Sequence, residues 1–165
     1  MSSVLFPGLT AHVNPAWPPG ERDLLSRIAH LLGTGAAESA LAALPESRSP
    51  WVRNARGVCL LRLGRPAQAV EVLRGLVFAR HGLSVRPNVH PVFAANYATA
   101  LLLDGNPDGF HGILSSVRDR SHPAVTRLDD AVWRWKVGMT FWQRVASIFG
   151  VGGPPLVIDF PPGEL

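Results

Sequence analysis

Asp104-Gly105-Asn106-Pro107-Asp108-Gly109 comes nearest to a chemical motif in this chain of 165 residues. Oxygen-bearing side chains at its first, third and fifth positions, with Gly at the sixth, match the opening of a calcium-binding loop. The match then fails, because Ser115 stands where a bidentate Glu is needed and His111 replaces an apolar anchor. Asx and Gly residues in this order also make an ordinary tight turn, and the stretch is read as one. The histidines at 12, 30, 81, 90, 111 and 122 show no ligand spacing on a common helix face, although His81 and His90 share a loop. Asp129 and Asp130 are adjacent, about 100° apart on a helix, which is poor geometry for an acid–base pair. Cys59 lies among apolar residues and reads as a small buried hydrophobe. No Gly-x-Ser-x-Gly elbow, phosphate-binding Gly-rich loop or dinucleotide fingerprint is present. The expectation is no catalytic residue, no metal and no cofactor.

Composition narrows the class further. Hydrophobic residues make up 47% and charged residues 17%, which excludes a disordered polyelectrolyte. The length suits one domain. Basic residues are almost all Arg, with Lys136 the sole Lys, and they cluster: residues 48–127 hold eleven Arg against Glu71, Asp104, Asp108 and Asp119. A basic middle favours an acidic partner. Nucleic acid is disfavoured, since no dense basic run or nucleic-acid-binding motif appears. With a single cysteine, no spanning-length apolar run and no basic leader at Met1–Leu9, the chain is expected in the cytoplasm.

The elements that position these residues announce themselves by a repeat. Gly35/Ala40/Leu44, Gly64/Ala69/Leu73 and Gly105/Phe110/Leu114 each place a small or apolar residue five positions after Gly and Leu nine positions after it. Each Gly closes a stretch with apolar residues at helical spacing. This is the pattern of stacked helix–turn–helix units, whose apolar faces are buried only by neighbours. Residues 1–20, rich in Pro, read as an extended N-terminal arm pinned by Trp17. Helices are expected from about Glu21 to Leu32, Ala36 to Leu44, Pro50 to Leu63 with Ser49 as cap, Pro66 to Phe78, Val92 to Leu103 and Asp108 to Val117. Together, residues 21–121 form the helical repeat region.

Residues 122–150 are expected to form one further, Trp-rich helix. Val132, Trp135, Met139, Trp142, Ala146 and Phe149 make its apolar stripe, widened by Trp133, Val137, Phe141 and Val145. Gly138 marks a kink or break. Burial as a capping helix on the stack is favoured, ahead of an oligomer or partner surface; attachment to a membrane surface is least favoured, because Lys136 and Arg144 supply little charge. Residues 151–165 read as an extended tail. Asp159 and Glu164 complement the basic middle, so the tail is a candidate to occupy the molecule's own groove, or to join the Trp-rich helix in self-association.

Residues 51–78, WVRNARGVCLLRLGRPAQAVEVLRGLVF, resemble a tetratricopeptide repeat. Gly57 and Ala69 stand at the small positions where the paired helices touch, Leu60 and Leu73 at the large apolar positions, and Gly64 at the turn. Residues 92–117 resemble a further repeat through Tyr97, Ala98, Leu101, Gly105 and Leu114. Residues 24–44 fit least, and the Gly-to-Gly spacings of 29 and 41 depart from the family's thirty-four. The resemblance implies an all-α fold of about three stacked hairpins with a groove that binds a peptide or protein. By position, Trp51, Asn54, Val58, Leu61 and Arg62 would face it in the central repeat, and Val92, Ala95, Asn96 and Thr99 in the next. Asn54 and Asn96 are the candidates to hydrogen-bond a peptide backbone, and Arg53 and Arg62 to hold a carboxylate. The function so implied is a non-catalytic adaptor or scaffold. The alternatives are a small chaperone shielding a client subunit, or an enzyme whose site is assembled from distant residues.

Overall fold

Gly35, Gly64 and Gly105 adopt positive φ of 78°, 67° and 81°, and each closes a helix in the same way. In this computed structural model, which describes residues 14–79, 84–138, 158 and 160–165, the turn is repeated bond for bond. Ala36, Arg65 and Asn106 donate their N–H groups to Leu31, Leu60 and Leu101, while the glycines donate to Leu32, Leu61 and Leu102. This is the Schellman cap, in which a left-handed residue lets the chain turn back on the last carbonyls of the helix. The next helix starts two residues after each Gly, at Ala37, Pro66 and Pro107.

The described residues contain seven α-helices: α1 (Arg22–Gly33), α2 (Ala37–Ala43), α3 (Pro50–Arg62), α4 (Pro66–Val77), α5 (Pro91–Leu103), α6 (Pro107–Ser116) and α7 (Pro123–Gly138). A 3-10 turn at Pro19–Glu21 leads into α1, so the α-helix begins one residue later than the acidic pair Glu21 and Asp23 implies. Each helix from α1 to α5 packs on its successor, most extensively across α3, α4, α5 and α6. A second set of contacts links α1 to α3, α3 to α5 and α5 to α7. The result is an all-α stack of helical hairpins with α1, α3, α5 and α7 in one row.

The residues at five and nine positions after each turn Gly point inward: Ala40, Ala69, Leu73 and Phe110 are fully buried, and Leu44 and Leu114 nearly so. Gly57 lets α4 come close, since a Cβ there would lie 2.6 Å from Leu73 Cγ and Cδ2. Helix α5 is central, with Val92 through Leu101 all buried. Two caps differ from expectation. The Ser49 hydroxyl makes no capping bond to α3; it donates to Glu21 Oε2 at 2.7 Å. Helices α5 and α7 instead start with His-Pro pairs, in which His90 and His122 accept the N–H groups of Val92 and Ala124 at Nδ1.

Trp17 is buried, as its anchoring role requires. The α4–α5 connection closes through a single antiparallel bridge between Phe78 and Val85, an element the sequence pattern did not indicate. In α7 the buried positions are Ala124, Val125, Leu128, Ala131 and Val132, whereas Trp133 and Val137 are exposed at 64% and 54%. The first half of the helix therefore docks on α5, and Trp133 and Val137 stay exposed. Met139, Phe141, Trp142, Val145, Ala146 and Phe149 lie outside the described residues, as do residues 1–13 and 151–157 of the two arms. No helix among the described residues is long and apolar enough to cross a membrane.

Candidate functional site

Positions 54, 58, 61 and 62 on α3 follow one another at helical steps of four, three and one, so their side chains share a face. Across from them, α5 presents Asn96. Asn54 is fully buried and Asn96 nearly so, and Asn96 Nδ2 donates to Asn54 Oδ1 at 2.9 Å. A buried amide demands partners for both ends of its side chain. One pair cannot satisfy two amides, and the remaining groups find theirs on the last residues of the chain.

Residues 160–165 lie across α3, α5 and α7 in neither helix nor strand. Asn54 Nδ2 and Asn96 Nδ2 both donate to the Glu164 carbonyl, at 3.1 and 2.7 Å, and the Glu164 N–H donates back to Asn96 Oδ1 at 2.8 Å. Arg62 donates from Nε to the Pro162 carbonyl at 2.6 Å and from a terminal nitrogen to that of Gly163 at 3.2 Å. Asn14, at the other end of the described chain, donates to the Leu165 oxygen at 3.3 Å. Three consecutive peptide carbonyls, and the Leu165 oxygen after them, are thus held by side chains. Such contacts read main chain and are blind to side-chain identity.

Other contacts do discriminate. Gly163 is buried with φ +83°, and a Cβ on it would meet Val58 Cγ1 at 3.0 Å, Val58 Cγ2 at 3.1 Å and Leu61 Cδ1 at 3.3 Å. Glu164 Oε1 pairs with Arg127 of α7 at 2.6 Å, and the same guanidinium stands 5.7 Å over the Phe160 ring. Burial lowers the Arg62 pKa, opposed by Cys59 and Glu164. Because burial pushes the Cys59 thiol up to about 11, it is neutral near pH 7, which leaves Glu164 as the counter-charge. The site combines a cation, two amides and an apolar floor.

The remaining candidates are placed elsewhere. Trp51 is buried edge-on against His90 and Phe93, filling the joint between α3 and α5. Arg53 points from the other side of α3 to the Val72 carbonyl, where Gly75 leaves room for its guanidinium. Buried Thr99 bonds back to the Ala95 carbonyl of its own helix. Val92 and Ala95 are core residues. Asn54, Val58, Leu61, Arg62 and Asn96 are therefore brought together, while Arg53 and Thr99 are not. Sequence reasoning missed Arg127 and Asn14, whose contribution depends on how distant segments meet; no local signal marks either.

The calcium-like stretch forms a turn, with Asn106 Oδ1 accepting the Gly109 N–H at 2.8 Å as the cap of α6. Among the described residues no three His, Cys, Asp or Glu side chains converge to hold a metal ion. An open cavity of about 550 Å³ beside Arg86, His90 and Asp119 lies apart from the tail. Its Arg86 is engaged with the Phe78 and Gly75 carbonyls, and its Asp119 with Ser121.

Fold and site together define an all-α hairpin stack with one polar face that grips a non-helical segment by its backbone. No family model, curated protein or solved structure matches the chain.

Proposed function

We propose that this chain is a non-catalytic protein-interaction scaffold of tetratricopeptide-like architecture, and that its α3/α5/α7 face receives a peptide segment of a partner. One observation carries the reading: two buried amides and a partly buried guanidinium on that face are satisfied by the main chain of a non-helical segment. Buried polar groups cost folding free energy unless paired, on the order of 1–3 kcal/mol each. A purely structural stack would fill those positions with apolar residues at no such cost. The repeated hairpins at Gly35, Gly64 and Gly105 and the close α3–α4 contact at Gly57 support the family likeness.

Affinity capture from native lysate tests the reading. The wild-type chain is compared with Asn54→Ala/Arg62→Ala, and with Arg48→Ala as a control at an exposed position. The expected outcome is a partner retained by wild type and by Arg48→Ala and lost by the double variant. Retention by all three, with the double variant still folded, removes this face from the function.

A further inference from the structure

We infer that the α3/α5/α7 face is selective for a segment of the type aromatic-Pro-Pro-Gly-acidic, that residues 160–165 are its built-in occupant, and that a partner protein carrying the same pattern displaces them. The inference rests on the scaffold reading above and names the ligand class of its site.

Each position of the pattern has its own physical cause. The carbonyls of Pro162, Gly163 and Glu164 take every hydrogen bond that Arg62, Asn54 and Asn96 direct to the tail, so the backbone path is set by the site. Gly suits the middle of these three positions, because a positive φ disfavours any Cβ and one would press on Val58 and Leu61 at 3.0 to 3.3 Å. An acidic side chain follows because Arg127 receives it, and an aromatic ring precedes the prolines because the same guanidinium stacks on it. Prolines at 161 and 162 restrict the free segment and reduce the ordering cost of docking. The segment is only partly withdrawn from solvent: Pro161 is exposed, Pro162 and Glu164 are partly buried, and Phe160 and Leu165 rest, partly buried, against the core at its two ends. A segment held chiefly by main-chain bonds, one partly exposed ion pair and two half-buried apolar ends is replaceable by another of the same pattern.

A tethered segment competes at an effective concentration on the order of millimolar, so the wild-type site is masked against a free peptide of micromolar affinity by a factor of about 100 or more. The probe is a fluorescent octapeptide, Ile-Asp-Phe-Pro-Pro-Gly-Glu-Leu, added to the full-length chain and followed by anisotropy. Two variants open the site in different ways: Gly163→Val strains the tail, and Glu164→Lys sets like charge against Arg127 while leaving Gly163 in place. The expected result is binding to both variants about a hundredfold tighter than to wild type. Ala in place of the probe's Gly weakens binding by about tenfold. In Gly163→Val/Arg127→Glu the affinity falls about fivefold and is regained with a probe carrying Lys in place of Glu, a rescue that a merely structural role for Arg127 does not give.

Folded variants that ignore the octapeptide overturn the inference, as does tolerance of Ala at the Gly position. Equal binding by wild type overturns the built-in occupant. A dimer that dissociates in Gly163→Val assigns the occupant to a second copy and overturns the partner assignment. None of these outcomes depends on lysate capture, which tests the scaffold reading whatever the sequence of the captured protein.

Discussion

His90 and His122 perform at the residue level a task usually left to Ser, Asp or Asn. Each accepts an N–H at Nδ1 at the start of a helix, and their rings meet at 5.8 Å between centroids. A cap of this kind needs the neutral ring, since protonation removes the lone pair. The His90 pKa is lowered, first by burial and then by the proximity of His122, with Asp119 opposing. A group whose folded-state pKa lies below its unfolded value near 6.5 binds fewer protons when folded in that window. Its contribution to stability is therefore complete above about pH 6.5 and is lost as pH falls through the folded-state value. Thermal melts at pH 7.5 and pH 5 should show a lower Tm in acid, with the difference reduced in His90→Asn, which keeps a capping acceptor but cannot titrate; an unchanged difference would count against this assignment. Cys59, wholly buried with its pKa raised to about 11 chiefly by burial, should resist iodoacetamide in the native protein and react once the chain is denatured.

At the scale of elements, two kinds of glycine act differently. Gly64 and Gly105 turn the chain at positive φ with nothing near a prospective Cβ. Replacing either with Ala should cost about 1–2 kcal/mol of left-handed strain, or a few degrees in Tm, and leave the fold intact. Gly57 has ordinary helical geometry and is needed for proximity alone. Gly57→Ala gains about 1 kcal/mol of helix propensity but forces the fully buried Leu73 aside, for a net destabilisation of about 1–2 kcal/mol. The two sites should couple: in a Leu73→Ala background the cost of Gly57→Ala disappears, and denaturant melts of the double-mutant cycle measure that coupling. Additive effects would mean that α4 has moved.

For the whole molecule, the tail joins segments far apart in sequence. Asn14, Asn54, Arg62, Asn96 and Arg127 all contact residues 160–165, linking the start of the described chain to α3, α5 and α7. Docking of this segment should therefore protect α3, α5 and α7 together. Hydrogen exchange on Glu164→Lys is expected to rise at the amides of α3, α5 and the first half of α7 together, while α1 and α2 stay as in wild type. A rise confined to residues 160–165 would show that the tail lies on a stack already complete without it.

Much of this organisation was legible in the residues themselves. Helix starts at Pro50 and Pro66, ends at the three turn glycines, and inward positions at Ala40, Ala69 and Leu73 follow from local rules: proline's fixed φ, glycine's left-handed freedom and the helical period. Position within a repeat put Asn54 and Asn96 on the groove side, but their bond to each other was not indicated by the sequence. Composition gave no guidance on α5, because a helix buried on all sides has no polar face to reveal its orientation. The assignments of Arg53, Thr99 and Trp133 turned on which side of each helix meets a neighbour. Arg127 and Asn14 join the site only because long-range packing carries them to the tail. Local steric preference acts within a few residues and is written in the order of amino acids. Which polar groups share a partner depends on distances closed by the packed stack, and that was decided by the tertiary structure alone.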